Sequence, residues 1–190
     1  ALCNKLESSG INVSQKWLRF NHYTAKFVNL IGRISKKSYY EEYEWGSLGY
    51  HNYNGIIGYF YIFSVFIDHI FFTYFLKKKI LKKQNIYIID RFIIDIIADL
   101  IVDTSKSKII FFLFGAFLKK ELNESNAFIL SCDKDIVFKR RPDIIDDKSY
   151  SKKISAYKQI ALKFEIDVLD TGKMSVDMIV SKLIKDLINK

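Results

Sequence analysis

The spacing of apolar and polar positions changes period repeatedly along this chain, and each change marks an element. Leu2 to Ser9 read as a helix and Ile11 to Phe20 as a strand that ends in Trp17, Leu18, Arg19 and Phe20. Residues 36–54, KKSYYEEYEWGSLGYHNYN, are rich in Tyr, Gly and Asn without a clean period, which predicts a loop or a short irregular helix. Residues 55–76, GIIGYFYIFSVFIDHIFFTYFL, are long enough to cross a bilayer, which takes about 20 apolar residues. Asp68 and His69 near their centre argue against that, because a central aspartate costs roughly 2.5–3.5 kcal/mol on insertion. Ser64 and Asp68, four apart, with Thr73 nearby, instead give one polar stripe on an otherwise apolar helix. A core helix bordering a cleft needs that pattern.

Further on, Ile86 to Ile89 form an apolar run of strand type that delivers Asp90, Arg91 and Phe92 to its end. Asp95, Asp99 and Asp103 follow Arg91 at four-residue steps and line one helix side with it; an ordinary solvated acidic face accounts for them equally well. Ile109 to Leu118 read as a short apolar helix, and Ala127 to Ser131 as a strand. Ile154, Tyr157, Ala161 and Phe164 form a helical stripe, as do Val176, Ile179, Leu183 and Leu187, with Ser175 as the N-cap of the last helix. Strands near 11–19, 86–90, 127–131 and 166–169, separated by helical stretches, predict an α/β fold with a mainly parallel sheet and helices on both faces.

Composition adds bounds. At 190 residues and 49% hydrophobic the chain can bury one substantial core, and a single proline with eight glycines leaves no long flexible linker, so residues 1–190 read as a single domain. Cys3 and Cys132 lie far apart, which suits reduced thiols in a cytoplasmic protein and no disulfide framework. His22, His51 and His69 lack metal-ligand spacing, so no metal site is expected. The net charge of +9 is carried mostly by lysines at apparent helix ends, where they complement the helix dipole. Arginine is scarcer. Of Arg19, Arg33, Arg91, Arg140 and Arg141, four fall at strand ends or in the charged segment 133–153, and the planar guanidinium fork suits phosphate better than lysine does. No recognised nucleic-acid motif accompanies the charge.

Three segments, in order, resemble the thymidylate kinase-like group of P-loop nucleoside monophosphate kinases. They are Ile86 to Asp103, IYIIDRFIIDIIADLIVD, with its DRF element; AFILSCDKDIVFKRRPDI from Ala127, like a strand and short helix leading into the family's lid; and Ile166 to Ile188, which opens IDVLDTG. Ser131 stands where that family usually ends its strand in Asp. The motif G-x-x-x-x-G-K-[ST], whose backbone N–H groups cradle ATP phosphates, is absent from the 190 residues. Since Ala1 to Gly10 resemble the helix that follows such a loop, the expectation is an N-terminally truncated kinase domain lacking its first strand; a degenerate relative is the competing explanation.

The resemblance implies transfer of the ATP γ-phosphoryl group to a nucleoside monophosphate, dTMP favoured, with ATP and Mg²⁺ required. Alternatives are a noncatalytic nucleotide-binding relative or a deoxynucleoside kinase of the same fold, in which Glu more often precedes the Arg. By resemblance Arg91 holds the acceptor phosphate, and Asp90 orients it; Arg19, Asp68, Phe92 and Asp95 complete the acceptor side; Arg140 lies by the adenine and Arg141 closes over the phosphates from a lid within 133–153. Asp170, Thr171, Gly172 and Lys173 border the donor adenine. The chain alone is then expected to be a poor catalyst, with no nucleic-acid or membrane partner, and a homodimer is compatible with the reading.

Overall fold

The computed structural model describes residues 2–8, 10–17, 23–80 and 86–188. In order, these are α1 (Leu2–Ser8), β1 (Val13–Trp17), α2 (Ala25–Ile34), β2 (Ser38–Tyr43), β3 (Gly46–His51), α3 (Ile56–Ile80), β4 (Ile86–Asp90), α4 (Ile93–Thr104), α5 (Ser107–Glu124) and β5 (Phe128–Ser131). Then come α6 (Lys134–Arg140), a 3₁₀ turn (Pro142–Ile144), α7 (Tyr150–Phe164), β6 (Asp167–Asp170) and α8 (Val176–Ile188). The fold is α/β, with helix predominating and small parallel sheets.

Helix α4 sits at the centre. Ile93, Ile96, Ile97, Ala98 and Leu100 are all buried, so its apolar surface is too wide for one neighbour, and it packs against α3, α5 and α7. Phe114 of α5, Ile62 and Val65 of α3, and Ile160 of α7 complete this core. Ser105, in the left-handed region at φ 56°, ends α4 and donates its N–H to the Ile101 carbonyl. A second anchor is Tyr53, whose N–H donates to the Asp103 carbonyl at 2.8 Å and whose hydroxyl donates to Asn29 at 2.8 Å. A side chain at Gly58 would strike the Tyr53 carbonyl, so glycine is what lets α3 start against that residue.

The sheet departs from the sequence expectation. In place of one mainly parallel sheet, the described residues form three two-stranded sheets: β1 with β4 in parallel, β5 with β6 in parallel, and β2 with β3 antiparallel. Period identifies a strand but not its partner, which is chosen by long-range contacts. The hairpin corrects the loop or irregular helix expected at 36–54. Its strands are joined by Glu44 and Trp45 and lie exposed over much of both faces, so the inside–outside alternation that marks a half-buried strand never appears. Tyr39 against Tyr50 supplies cross-strand packing instead, and Tyr43 stacks on Trp45 of the turn. Helix α5 is also longer than the apolar run at 109–118, because its polar ends carry no periodic signal.

One described helix, Ile56–Lys78, is long and apolar enough to cross a membrane. In this fold its inner side packs on α2, α4 and α5.

Candidate functional site at the strand ends

Parallel pairing puts the C-terminal ends of β1 and β4 together, with Trp17 opposite Asp90. The chain must then turn sharply into α4, and Arg91 makes that turn with φ 63°, a left-handed conformation that costs a non-glycine residue roughly 1–2 kcal/mol. Asp90 and Arg91 are both exposed, and neither forms a hydrogen bond or ion pair with another described residue. Arg91 therefore lies outside α4, which corrects the expectation that it shares a helix side with Asp95, Asp99 and Asp103.

Asp95 is engaged twice. One oxygen accepts the Phe92 N–H at 3.1 Å, capping the first turn of α4, and the other accepts the Tyr157 hydroxyl from α7 at 2.6 Å. Burial, with the carboxylate of Asp95 beside it, holds the Tyr157 hydroxyl strongly in its protonated form. Phe92 is half-buried and packs beside His69, its ring centroid 5.6 Å away. Asp99 remains exposed, whereas burial pushes the Asp103 carboxyl well above the usual carboxylate range, with Asp99 adding to the rise and Lys153 opposing it. The three acids thus occupy three different environments.

Asp68 is buried on the inner side of α3. Its carboxylate accepts the backbone N–H groups of Tyr23, Thr24 and Ala25 at 2.9, 2.9 and 3.1 Å, satisfying donors that α2 leaves unbonded at its first turn. That accounts for a charge in this apolar helix without a ligand. His69 beside it is fully buried among Phe92, Phe114 and Phe117, with its Nε2 3.4 Å from the Thr73 hydroxyl, and burial lowers its pKa to about 4. Arg19 lies outside the described residues.

The ends of β5 and β6 meet in the same way, with Ser131 opposite Asp170. Here the sequence-selected residues do come together. Both terminal nitrogens of Arg140, at the end of α6, donate to the Thr171 carbonyl at 3.3 Å; the Thr171 N–H and hydroxyl donate to the Ser131 carbonyl at 2.7 and 3.1 Å. Asp170 accepts the Gly172 N–H at 2.8 Å and pairs with Lys173 at 3.5 Å; the Gly172 bond, the larger influence, and Lys173 lower its pKa. A side chain at Gly172 would meet Asp170, Ile136 and Cys132 at 3.1–3.2 Å, so glycine suits this crowded turn. Arg141 forms a two-bond pair with Asp143 at 2.9 and 2.6 Å.

Two residues escaped the sequence reading. Tyr157 reads in the sequence as part of a core stripe, but its hydroxyl links α7 to the cap of α4; an acid at the third position of a helix is the available signal for that cap. Lys148 joins the segment before α7 to the hairpin through Glu41 and the Tyr50 hydroxyl, a contact across some hundred residues that local spacing cannot announce.

Among the described residues no three His, Cys, Asp or Glu side chains gather as a metal site. The exposed Asp90 carboxylate is a single oxygen ligand of the kind a hydrated Mg²⁺ accepts, since such ions keep most of their waters and take one or two protein carboxylates. A cleft of about 250 Å³ lined by Ala127, Phe128, Ile166 and Asp167 opens at the opposite, N-terminal ends of β5 and β6, away from these groups. Comparison with protein-family models, with curated proteins and with solved structures returned no match.

Proposed function

We propose that this chain is a thymidylate kinase-like nucleotide-binding protein acting in the cytoplasm, whose strand ends hold a nucleoside monophosphate, dTMP favoured, against ATP. The observation that carries the reading is Arg91: an exposed guanidinium with no described partner, held in a left-handed turn at the C-terminal end of a parallel strand. Ligands of open α/β sheets bind at that end, and the fork of arginine matches phosphate. Retaining an unfavourable backbone conformation beside a charge that no described residue pairs is consistent with a role outside folding.

In the proposed reaction Arg91 grips the acceptor phosphate and Asp90 orients it. Arg140, already docked on Thr171, forms one wall of an adenine site with Asp170, Gly172 and Lys173. Arg141 swings from Asp143 to neutralise charge on the phosphoryl group in transit, as positioning and charge stabilisation supply most of the catalysis in such transfers. Mg²⁺, bound with ATP, would neutralise the β- and γ-phosphates. Asp68, as described above, supports α2 and shapes the acceptor side indirectly.

Because residues 1–190 contain no glycine-rich Lys-Ser/Thr motif, a noncatalytic nucleotide-binding protein is the second reading. Calorimetric titration of dTMP, thymidine and ATP into the protein, followed by an assay for ADP and dTDP, separates the cases. Binding of dTMP over thymidine with product formation supports the kinase; binding without product supports the noncatalytic relative; tighter binding and turnover of thymidine support a deoxynucleoside kinase. Failure to bind any of the three overturns the nucleotide reading.

A further inference from the structure

As strands, β2 and β3 bond only to each other. From Ser38 opposite His51 to Tyr43 opposite Gly46 their ladder runs without a bulge. Along residues 39–43 and 46–50 no backbone group of another described element bonds either outer edge. Such an edge is a template for a further strand, and proteins usually blunt it with lysine, proline, a bulge or a covering segment. Residues 38–51, SYYEEYEWGSLGYH, hold no lysine, arginine or proline. What they hold is acid: Glu41, Glu42 and Glu44, in a chain whose net charge is +9. Glu41 is bonded by Lys148, which reaches it from the segment before α7. Glu42 and Glu44 are exposed and pair with no other described residue.

We infer that the outer edge of β2 is a docking site for an extended basic segment of a partner protein, added as a third, antiparallel strand. In contacts of this kind main-chain bonds supply affinity and alternate side chains supply specificity. Side chains of the added strand fall in turn beside Tyr40 and Glu42 on one face and beside Tyr39, Glu41 and Tyr43 on the other. The first face, with Glu44 just beyond it, calls for lysine or arginine. The second, with two tyrosine rings and a carboxylate already bonded to Lys148, calls for apolar residues. Arg33 lies over the Tyr40 ring at 5.3 Å and donates to its hydroxyl, so it repels cations from the base of β2 and places the basic positions toward the turn. Charge also decides against two other occupants. A second copy paired β2 to β2 would bring the acids of both hairpins together, and like charges across a strand pair are destabilising. Nucleic acid is repelled by the same acids. The edge of β3 is the poorer template, since Gly46 and Gly49 give an added strand no side chain to pack on. None of this depends on nucleotide binding.

Fluorescence anisotropy tests this with the full chain and a labelled, end-capped hexapeptide alternating lysine and valine. Expected is saturable binding that Glu42→Lys combined with Glu44→Lys weakens about tenfold, as two exposed attractions become repulsions. Both glutamates are exposed, so circular dichroism and melting should match the wild type. Two further peptides need no variant: one carries N-methylated backbone at its lysines, the other at its valines. Because every second residue of an added strand bonds the sheet, one of these two should lose binding. No saturable binding of the unmethylated peptide overturns the inference. So does equal binding by the folded double variant, which would place the peptide elsewhere. Undiminished binding of both methylated peptides also overturns it, since the attraction would then be ionic without strand addition.

Discussion

Two sets of charged residues flank the strand ends, and they differ in what holds them. Asp68, Asp95, Arg140 and Asp170 are each bonded to backbone: to the first turn of α2, to the cap of α4, to the Thr171 carbonyl and to the Gly172 N–H. Asp90 and Arg91, by contrast, touch no described polar partner and project from a turn with a positive φ. Side chains that satisfy backbone groups mainly maintain the fold. The Arg91 guanidinium, held in a costly conformation, has no hydrogen-bond or ion-pair partner among the described residues and so contributes little there to holding the fold. The contrast also separates the ends of the two parallel pairs, since the β5–β6 end is knit together by hydrogen bonds while at the β4 end Asp90 and Arg91 form none with the described residues.

The largest effect should come from the bonded set. Asp68→Ala strands three backbone donors and removes a charge that complements the start of α2, which should cost about 3–5 kcal/mol and lower Tm on the order of 10 °C. An unchanged melt would erase the distinction between the two sets.

Next comes His69. Its folded pKa of about 4 lies below the unfolded value near 6.5, so between these values the unfolded chain binds the extra proton. This contribution to stability is complete above pH 6.5, falls as pH drops toward 4, and then levels off, having lost about 3 kcal/mol. Asp103, with its raised pKa, has the opposite slope as pH climbs above its unfolded value, so the His69 effect is read from the difference between wild type and His69→Phe in denaturant titrations across that window. Parallel pH curves for the two proteins would show that His69 is not buried neutral.

Arg91→Lys probes the unbonded set. Losing the fork while keeping the charge should weaken dTMP binding by about ten- to a hundredfold, on the order of 1.5–3 kcal/mol, and leave Tm unmoved. Constant affinity with a large drop in Tm would move Arg91 into the structural set. The smallest expected change is Tyr157→Phe, which removes one of two bonds to Asp95 and should cost about 1–1.5 kcal/mol by chemical denaturation, because the Phe92 N–H still holds that carboxylate. A cost as large as that of Asp68→Ala would mean that Tyr157, and not the cap, positions Asp95.

Much of the architecture was legible in the sequence by itself. The helical stripe from Tyr150 to Phe164 matches α7 throughout, Ser175 does accept the Met178 N–H as a cap, and the short apolar runs mark β4, β5 and β6 closely, because period and capping are local properties that no distant contact need assist. The clustering of arginines and of Asp170 to Lys173 was legible too, as positions along the chain. Only the tertiary structure decided which strands pair, that 36–54 folds into a hairpin, and what each charge does. Asp68 reads as a polar interruption in an apolar helix until α2 arrives with three unbonded N–H groups. Asp95 reads as one of three equivalent acids until the turn at Arg91 makes it a cap and α7 brings Tyr157. Spacing fixes the face on which a side chain lies; its partner depends on residues tens of positions away, and for a buried polar group the partner decides whether it serves the fold or a ligand.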